Sequence, residues 1–564
     1  MKIVGIETSS KEMRYIAVIA IVAFAVMLPV LLIGLPYGHD LPHHYQCATT
    51  FYESILNGDL YPSWSLNRNF GYGGMETRLY PPISHYSLAV AYLIMGDWHI
   101  ASWIIFTLFA FIGGFGVYKW AREYMQPHQA VFAGGIYVLL PYHLSQIYNT
   151  FFYAEFVGSS VLPFLFVFTS RVCRRGRPFD IACLAISYAV LILTHLPLTV
   201  IGSVSCAVYG LILLKRTDAF RQLAKLALGV TGGLAASSFF WVKVVQEKDL
   251  MAKAQVYADS WLDYRLNFLL TPIQTYKPGI AVEVYNNGTY FYDMMLFYAL
   301  LIVVGCMLPS VFGNLRSEKS RIGVWLMLAL SVFLSIIPGK FVWDLVTPLQ
   351  EVQFPWRWLA VACIAAPVLA AAQFDSLVEA FRTRRRPLAL IGLGCVLVSL
   401  TFSVSQIIRP AEFIKKETVA KRMDDNSREI GFTFWWPIWA RKEALQIREK
   451  VNAGDRPVEI ENWTATNRHF TVGPGSEPQM VRLATFYHPN WTATVGGTPA
   501  AIEPDPNGAI LLTVPAEETK VTLTFSETAQ VKAAQAISLL AWLTLVFVFV
   551  ISKRRTNKQN AANA

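Results

Sequence analysis

A chain of 564 residues that is 54% hydrophobic and only 15% charged, with mean hydropathy +0.39, does not read as a soluble globular protein but as a polytopic membrane protein. Its net charge of +10 gives no reason to expect nucleic acid, because the basic residues sit in clusters at the ends of apolar segments and form no surface of their own. Seven cysteines without a Cys-x-x-Cys pair indicate neither a disulfide framework nor a zinc site.

The first apolar run, Ile16 to Leu35, has the roughly 20 residues a spanning helix needs and no small-residue cleavage site, so it reads as an uncleaved first helix. Basic clusters then recur: Lys11 and Arg14; Lys119 and Arg122; Arg171 to Arg177; Lys215 to Lys225; Arg316 to Arg321; Arg382 to Arg386; and Lys553 to Arg555. If each cluster is cytoplasmic, two spans separate each neighbouring pair. Apolar segments at about 15–36, 99–121, 129–146, 154–171, 179–194, 196–214, 222–243, 290–313, 321–337, 355–375, 388–407 and 533–552 meet that demand, which makes about 12 helices with both termini inside. Ile83 to Met95 is too short to span comfortably and is expected to lie at or dip into the outer interface.

This topology divides the chain into a bundle, 1–407, with a structured first outer loop over 37–98, an outer domain over 408–532, and a last helix with a basic tail over 533–564. The outer domain has ordinary soluble composition, and its end alternates as strands do: Trp491, Ala493, Val495; Ile510, Leu512, Val514; Val521, Leu523, Phe525. Turn signals separate these runs, so a small extracytoplasmic β-sandwich is expected.

The ionisable residues near membrane depth converge on the outer face. Asp40 ends the first helix within Gly38-His39-Asp40-Leu41-Pro42-His43-His44. Glu155 begins the fourth helix, His195 ends the fifth, and Gln353 and Arg357 open the tenth. None of these residues was needed to assign the topology, and such residues mark functional sites by default. Duller readings exist for each: Asp40 as a helix N-cap, Glu155 as a bundle ion pair, His195 as a core histidine, Arg357 as an interface anchor. His39, Asp40, His43 and His44 also have the ligand types for a divalent cation, although three interfacial histidines are more often hydrogen-bonding partners.

The Asp after helix one, the loop running through Gly58-Asp59-Leu60-Tyr61-Pro62-Ser63-Trp64 and Tyr80-Pro81-Pro82, and the many-helix body resemble the GT-C glycosyltransferases. Gly38 to His44, Tyr153-Ala154-Glu155-Phe156, Thr194-His195-Leu196 and Gln353 to Arg357 look more closely like a bacterial group labelled 6-pyruvoyl-tetrahydropterin synthase-related membrane proteins, a label we do not read as pterin chemistry. Tyr487 to Trp491, Gly496-Gly497, Asn507-Gly508 and Val514 to Ala516 are similar to the small β domain of that group and of YfhO-like proteins. The resemblance implies a GT-C-like fold in a bacterial inner membrane, with the site and the β domain on the periplasmic side. It implies inverting transfer of a sugar from a polyprenyl-phosphate donor to a glycan, lipid or protein acceptor, with Asp40 as general base. Arg357 then holds the donor phosphate, Gln353 and His195 position substrate, and His43 and His44 orient Asp40 or contact phosphate. Glu155 is a second acidic residue, for acceptor binding or for tuning the base. No cofactor follows, beyond the divalent ion considered at the histidine cluster. A transporter or flippase of lipid-linked sugars is the alternative, and a non-catalytic scaffold a further one. A transporter would show internal repeats and midplane charges, and neither is evident.

Overall fold

The structure, a computed structural model, describes residues 2–3, 6–7, 10–252, 263–271, 282–310, 319–428 and 430–562. The middle of the outer loop expected at 244–289 and the basic Arg316 lie outside the described residues.

Each of the twelve apolar segments is helical, but they differ in length. Seven helices are long and apolar enough to cross a membrane: Glu12–Ile33, Trp98–Ala121, Pro127–Tyr148, Tyr153–Arg174, Leu196–Leu213, Arg386–Ile408 and Ala529–Ser552. Two more segments are bent pairs: Ala219–Ala236 with Ser238–Leu250 at 71°, and Pro355–Ala371 with Phe374–Ala380 at 45°. Of the remaining three, Pro178–Ile192 and Arg321–Ser335 are shorter apolar helices, and Phe291–Met307 is the apolar part of a 26-residue helix, Val282–Met307. By length and composition, then, the described residues hold seven to nine spans where about 12 were expected. Ile83–Met95 is a 13-residue helix, as its length required.

Close packing inside the bundle depends on small residues, since lipid supplies no hydrophobic drive between helices. Gly114 and Gly134 lie face to face, and a Cβ on Gly134 would come within 2.6 Å of the Gly114 carbonyl oxygen. The break after Ala236 turns the second half of its pair toward the outer domain. Serines close the gap: Ser238 donates to the Ala534 carbonyl at 2.8 Å, and Ser538 to the Ala236 carbonyl at 2.5 Å.

The domain expected on the outer side holds a β-sandwich. One antiparallel sheet has the order Thr498–Ala500, Trp491–Val495, Thr519–Phe525, Asn467–Val472, Val458–Trp463; the other runs Glu503–Pro504, Ala509–Val514, Gln479–Phe486, Val451–Asn452. The inward residues are those the alternation marked: Trp491, Ala493, Val495, Ile510, Leu512, Val514, Val521, Leu523 and Phe525 are all buried.

The first outer loop belongs to that sandwich core as much as to the bundle. Trp64 packs on Phe525 and Trp491, with ring centroids 5.6 and 5.9 Å apart. Tyr72 donates its hydroxyl to the Ala444 carbonyl at 2.6 Å, and its own carbonyl accepts from the Phe486 amide at 3.0 Å. Arg78, fully buried, forms ion pairs with Glu247 from the bent helix and Glu527 from the segment before the last span, and Lys243 joins Glu527 at 3.1 Å. A two-stranded ribbon, Gly34–Pro36 against Phe413–Lys415, ties the end of the first helix to the start of the outer domain.

Candidate active site

The chain after the first span does not continue as a loop. Asp40 stands at the N-cap position of a 16-residue helix, Leu41–Leu56, with Pro42 in its first turn, a favoured place for proline. Its side chain makes no capping hydrogen bond and instead accepts from His39 Nδ1 at 2.7 Å, a contact that raises the His39 pKa. The carboxylate is fixed through the backbone: the Asp40 amide donates to the Thr150 carbonyl at 3.3 Å. Gly38 permits this approach, since a Cβ there would meet the Phe151 nitrogen at 2.6 Å.

The helix also separates the two histidines, because successive residues point about 100° apart. His43 lies among Tyr80, Phe432 and Trp435, with centroids 5.1, 5.4 and 5.9 Å away, and burial lowers its pKa to about 4. His44 turns inward, with Nδ1 3.1 Å from His85 Nε2, and does not reach the cavity described below. The substrate contact expected of His44 is therefore corrected to a core hydrogen bond. The cation considered at His39, Asp40, His43 and His44 likewise lacks a ligand set: among the described residues no cluster of three or more His, Cys, Asp or Glu side chains is arranged to hold a metal ion.

Arg357 lies in the turn Pro355–Trp358, buried to 9% exposure. Its Nε donates to Glu155 Oε2 at 3.0 Å, while Nη1 donates to the Val352 carbonyl at 2.7 Å and to Gln353 Oε1 at 3.3 Å. Nη2 has no partner among the described residues. Gln353 has φ +69°, a backbone conformation that a side chain other than glycine rarely adopts and that is characteristic of functional turns.

Glu155, 1% exposed, stands behind Arg357. It accepts from the Tyr142 hydroxyl and from Gln146 Nε2 as well as from Arg357. Its carboxylate is thus committed to holding the guanidinium, and it is absent from the cavity wall. The acceptor contact expected of it is therefore not what this geometry provides. His195 caps the helix Leu196–Leu213, its Nδ1 accepting from the Leu198 amide at 3.2 Å. That bond places the ring proton on Nε2, which lies 4.0 Å from Glu155 Oε2.

Asp40, His43, His195, Gln353 and Arg357 line one cavity of about 350 Å³, within the usual range for a small-molecule site. Residues more than 300 positions apart in sequence thus meet at one place. Much of the remaining wall is apolar or aromatic, including Leu79, Tyr80, Phe152, Phe354, Phe432 and Trp435. Sequence reasoning gave no site role to Tyr80, Glu351, Lys248 or the aromatic run Phe432 to Trp435, although Tyr80 stood in one of the motifs that carry the resemblance. That run, Phe-Thr-Phe-Trp-Trp inside a segment of soluble composition, was the available signal.

Residues 77–407 match the family described as 6-pyruvoyl-tetrahydropterin synthase related domain, membrane protein. The match includes Glu155, His195, Gln353 and Arg357 and leaves Asp40 outside. An uncharacterized protein of Lactococcus lactis subsp. cremoris (strain MG1363) is 21% identical over 295 residues, which make 50% of this chain and 46% of that protein. The chain thus spans less than half the length of this curated relative. Among solved structures, it is similar to the apo oligosaccharyltransferase of Archaeoglobus fulgidus, at 12% identity and TM-score 0.46 over 75% of this chain and 60% of that one. It is similar to ArnT from Cupriavidus metallidurans bound to undecaprenyl phosphate, at 18% identity and TM-score 0.42 over 74% and 70% of the two chains. The arabinofuranosyltransferase AftD from Mycobacteria is similar at 14% identity and TM-score 0.49, over 91% of this chain and 40% of that one.

Proposed function

The chain belongs to the 6-pyruvoyl-tetrahydropterin synthase-related family of membrane proteins, and on that premise we propose that it is a glycosyltransferase taking its sugar from a polyprenyl-phosphate donor. The observation that carries this reading is the pairing, in one largely apolar cavity, of the Asp40 carboxylate with an arginine whose free Nη2 is its only unpartnered nitrogen among the described residues. Such a site suits a phosphodiester with a hydrocarbon tail. Arg357 hydrogen-bonds the phosphate oxygens, and Glu155 keeps the guanidinium from turning away.

The reaction is a single displacement at the anomeric carbon, with inversion. An acceptor hydroxyl attacks that carbon as its proton passes to Asp40; the bond from the carbon to the phosphate oxygen breaks, and polyprenyl phosphate leaves with both electrons. Asp40 acts as general base, for which it must come within hydrogen-bond reach of the acceptor oxygen. Arg357 stabilises the charge that gathers on the leaving phosphate, in a site where water is scarce and each fixed donor counts for more. Gln353 and His195 shape the wall between the two groups. The charge clusters support placing this chemistry on the outer face of a bacterial inner membrane.

Incubation of the purified chain, and of Asp40→Asn, with short-chain polyprenyl-phosphate sugars and candidate acceptors tests the reading. Release of polyprenyl phosphate by the wild type alone is the expected result. Equal release by Asp40→Asn would remove Asp40 as the base, and release by neither with any sugar would end the transferase proposal.

A further inference from the structure

The cavity has two aromatic flanks. One belongs to Arg357: the Phe354 and Trp356 rings lie 4.7 and 5.7 Å from its guanidinium, and Phe152 stacks on Trp356 at 5.8 Å. The other belongs to Asp40. There Phe432 lies 6.4 Å from the His39 ring and 5.4 Å from that of His43, Trp435 runs parallel to His43 within 6°, and Tyr80 lies 5.4 Å from Trp435. Phe434 continues this flank, 5.2 Å from Trp435. In a single displacement the base and the leaving group stand on opposite sides of the anomeric carbon. The Asp40 flank is therefore the acceptor's side.

We propose that the acceptor is a carbohydrate, its ring resting on the platform of Tyr80, Phe434 and Trp435 with one hydroxyl presented to Asp40. The proposal rests on the glycosyltransferase reading above. A sugar ring offers a face of C–H bonds to an aromatic plane, whose negative face attracts them, and hydroxyls to polar groups at its rim. The platform supplies both. The Trp435 indole N–H is buried without a hydrogen-bond partner, and the Tyr80 hydroxyl makes no hydrogen bond among the described residues.

Other acceptor classes fit this flank less well. An anionic lipid head group calls for cations, and His39, which packs on Phe432, is already paired with Asp40. An extended peptide calls for a free backbone edge. Here the backbone that follows Trp435 is already paired: Ala252 donates its amide to the Trp436 carbonyl and Ile438 its amide to the Leu250 carbonyl, both at 2.9 Å.

The platform is preorganised at both ends. The Gly431 amide donates to Asn69 Oδ1 at 3.0 Å, and Trp436 is buried against Phe486, 5.0 Å between centroids. Burial keeps the His43 ring beneath Trp435 uncharged at neutral pH.

Saturation-transfer NMR on the full chain in lipid nanodiscs tests this. The probes are methyl glycosides of glucose, galactose, mannose, rhamnose and N-acetylglucosamine, with binding of undecaprenyl phosphate measured in parallel. We expect saturation of the ring protons of at least one glycoside. Trp435→Ala should weaken it about tenfold, the equivalent of one lost aromatic contact, and Trp435→Phe less. Undecaprenyl phosphate affinity should stay unchanged in both. Phe434→Leu, which keeps the volume and removes the ring, gives the same readout if Trp435→Ala does not fold. The acceptor proposal is overturned by glycoside signals that survive these variants, or by saturation of a serine-threonine peptide or phosphatidylglycerol in place of any glycoside. Glycoside binding without any undecaprenyl phosphate binding would instead overturn the donor reading.

Discussion

Removing Glu155 should show that Arg357 is held by a buried ion pair. The pair is 3.0 Å long, with side-chain exposures of 10% and 1%, so solvent screens it little. Deleting one partner of such a pair costs about 3–5 kcal/mol, chiefly because the other charge stays buried and uncompensated. Two features adjust this. The Val352 carbonyl and Gln353 Oε1 still accept from Arg357 and moderate the loss. Tyr142 and Gln146, however, lose an acceptor each, at about 1 kcal/mol apiece. Glu155→Ala should therefore destabilise the bundle by about 4 kcal/mol. Arg357→Met should cost about 3 kcal/mol. The double variant should cost less than the sum by about 2–3 kcal/mol, since it leaves no lone charge behind. Denaturant titration of the four proteins in mixed micelles measures the cycle, and undecaprenyl phosphate affinity should fall at least about tenfold in Glu155→Ala as the guanidinium loses its anchor. Costs that add within about 0.5 kcal/mol, with unchanged lipid affinity, would refute the positioning role.

Gly38→Ala should cost about 1–3 kcal/mol by overpacking against the 150–151 backbone, and turnover should fall further than stability because Asp40 moves with the loop; a thermal midpoint and a rate on the same preparation decide it. Glu527 has a pKa pulled down to about 2: burial alone would raise it, but the hydrogen bonds and charge of Arg78, with the charge of Lys243, prevail. Its contribution is present above pH ~4.5 and lost as pH falls toward 2, so the stability gap between wild type and Glu527→Gln should narrow across that range. His43, lowered to about 4 by burial, works in the other direction. The unfolded chain takes up its proton first, so stability should fall as pH drops from about 6.5 to about 4. Melting curves at both ends of that window should show a smaller drop in His43→Phe. Asp40→Asn should abolish transfer and leave undecaprenyl phosphate binding within about twofold, measured by turnover and direct binding.

The bundle was legible because two local signals agree along the chain: apolar length and the position of Arg and Lys. The strands of the sandwich were legible for the same reason, through a period of two at Trp491–Val495, Ala509–Val514 and Thr519–Phe525. The neighbourhood of Asp40 was read less well. Taken as a loop, His43 and His44 looked like equivalent members of one cluster; on the helix Leu41–Leu56 only His43 reaches the cavity while His44 bonds to His85, and Asp40 followed by Leu-Pro was the sign of that helix. The outer residues Glu155, His195, Gln353 and Arg357 were gathered by topology alone, yet no local pattern distinguishes a wall residue such as His195 from one that stands behind the wall, as Glu155 does. The strap from Phe432 to Trp435 was invisible for a related reason. Its rings meet Tyr80 and His43 across about 350 residues of chain, and periodicity carries no information over that distance.

The insertion of Trp64, Tyr72 and Arg78 into the outer domain fixes an order of assembly. These side chains are synthesised early, whereas Glu527, Phe525 and Phe486 come near the end of the chain. Until then the loop carries a bare tryptophan, and its Arg78 has Glu247 as its one carboxylate partner of the two. The sandwich can complete its core only around a peptide laid down some 400 residues before. Contacts of such sequence separation form slowly, and the first loop can close only once Phe525 and Glu527 have emerged. A ribosome stalled before Glu527 would therefore expose Trp64 and Arg78 to protease, and release of the finished chain would protect them.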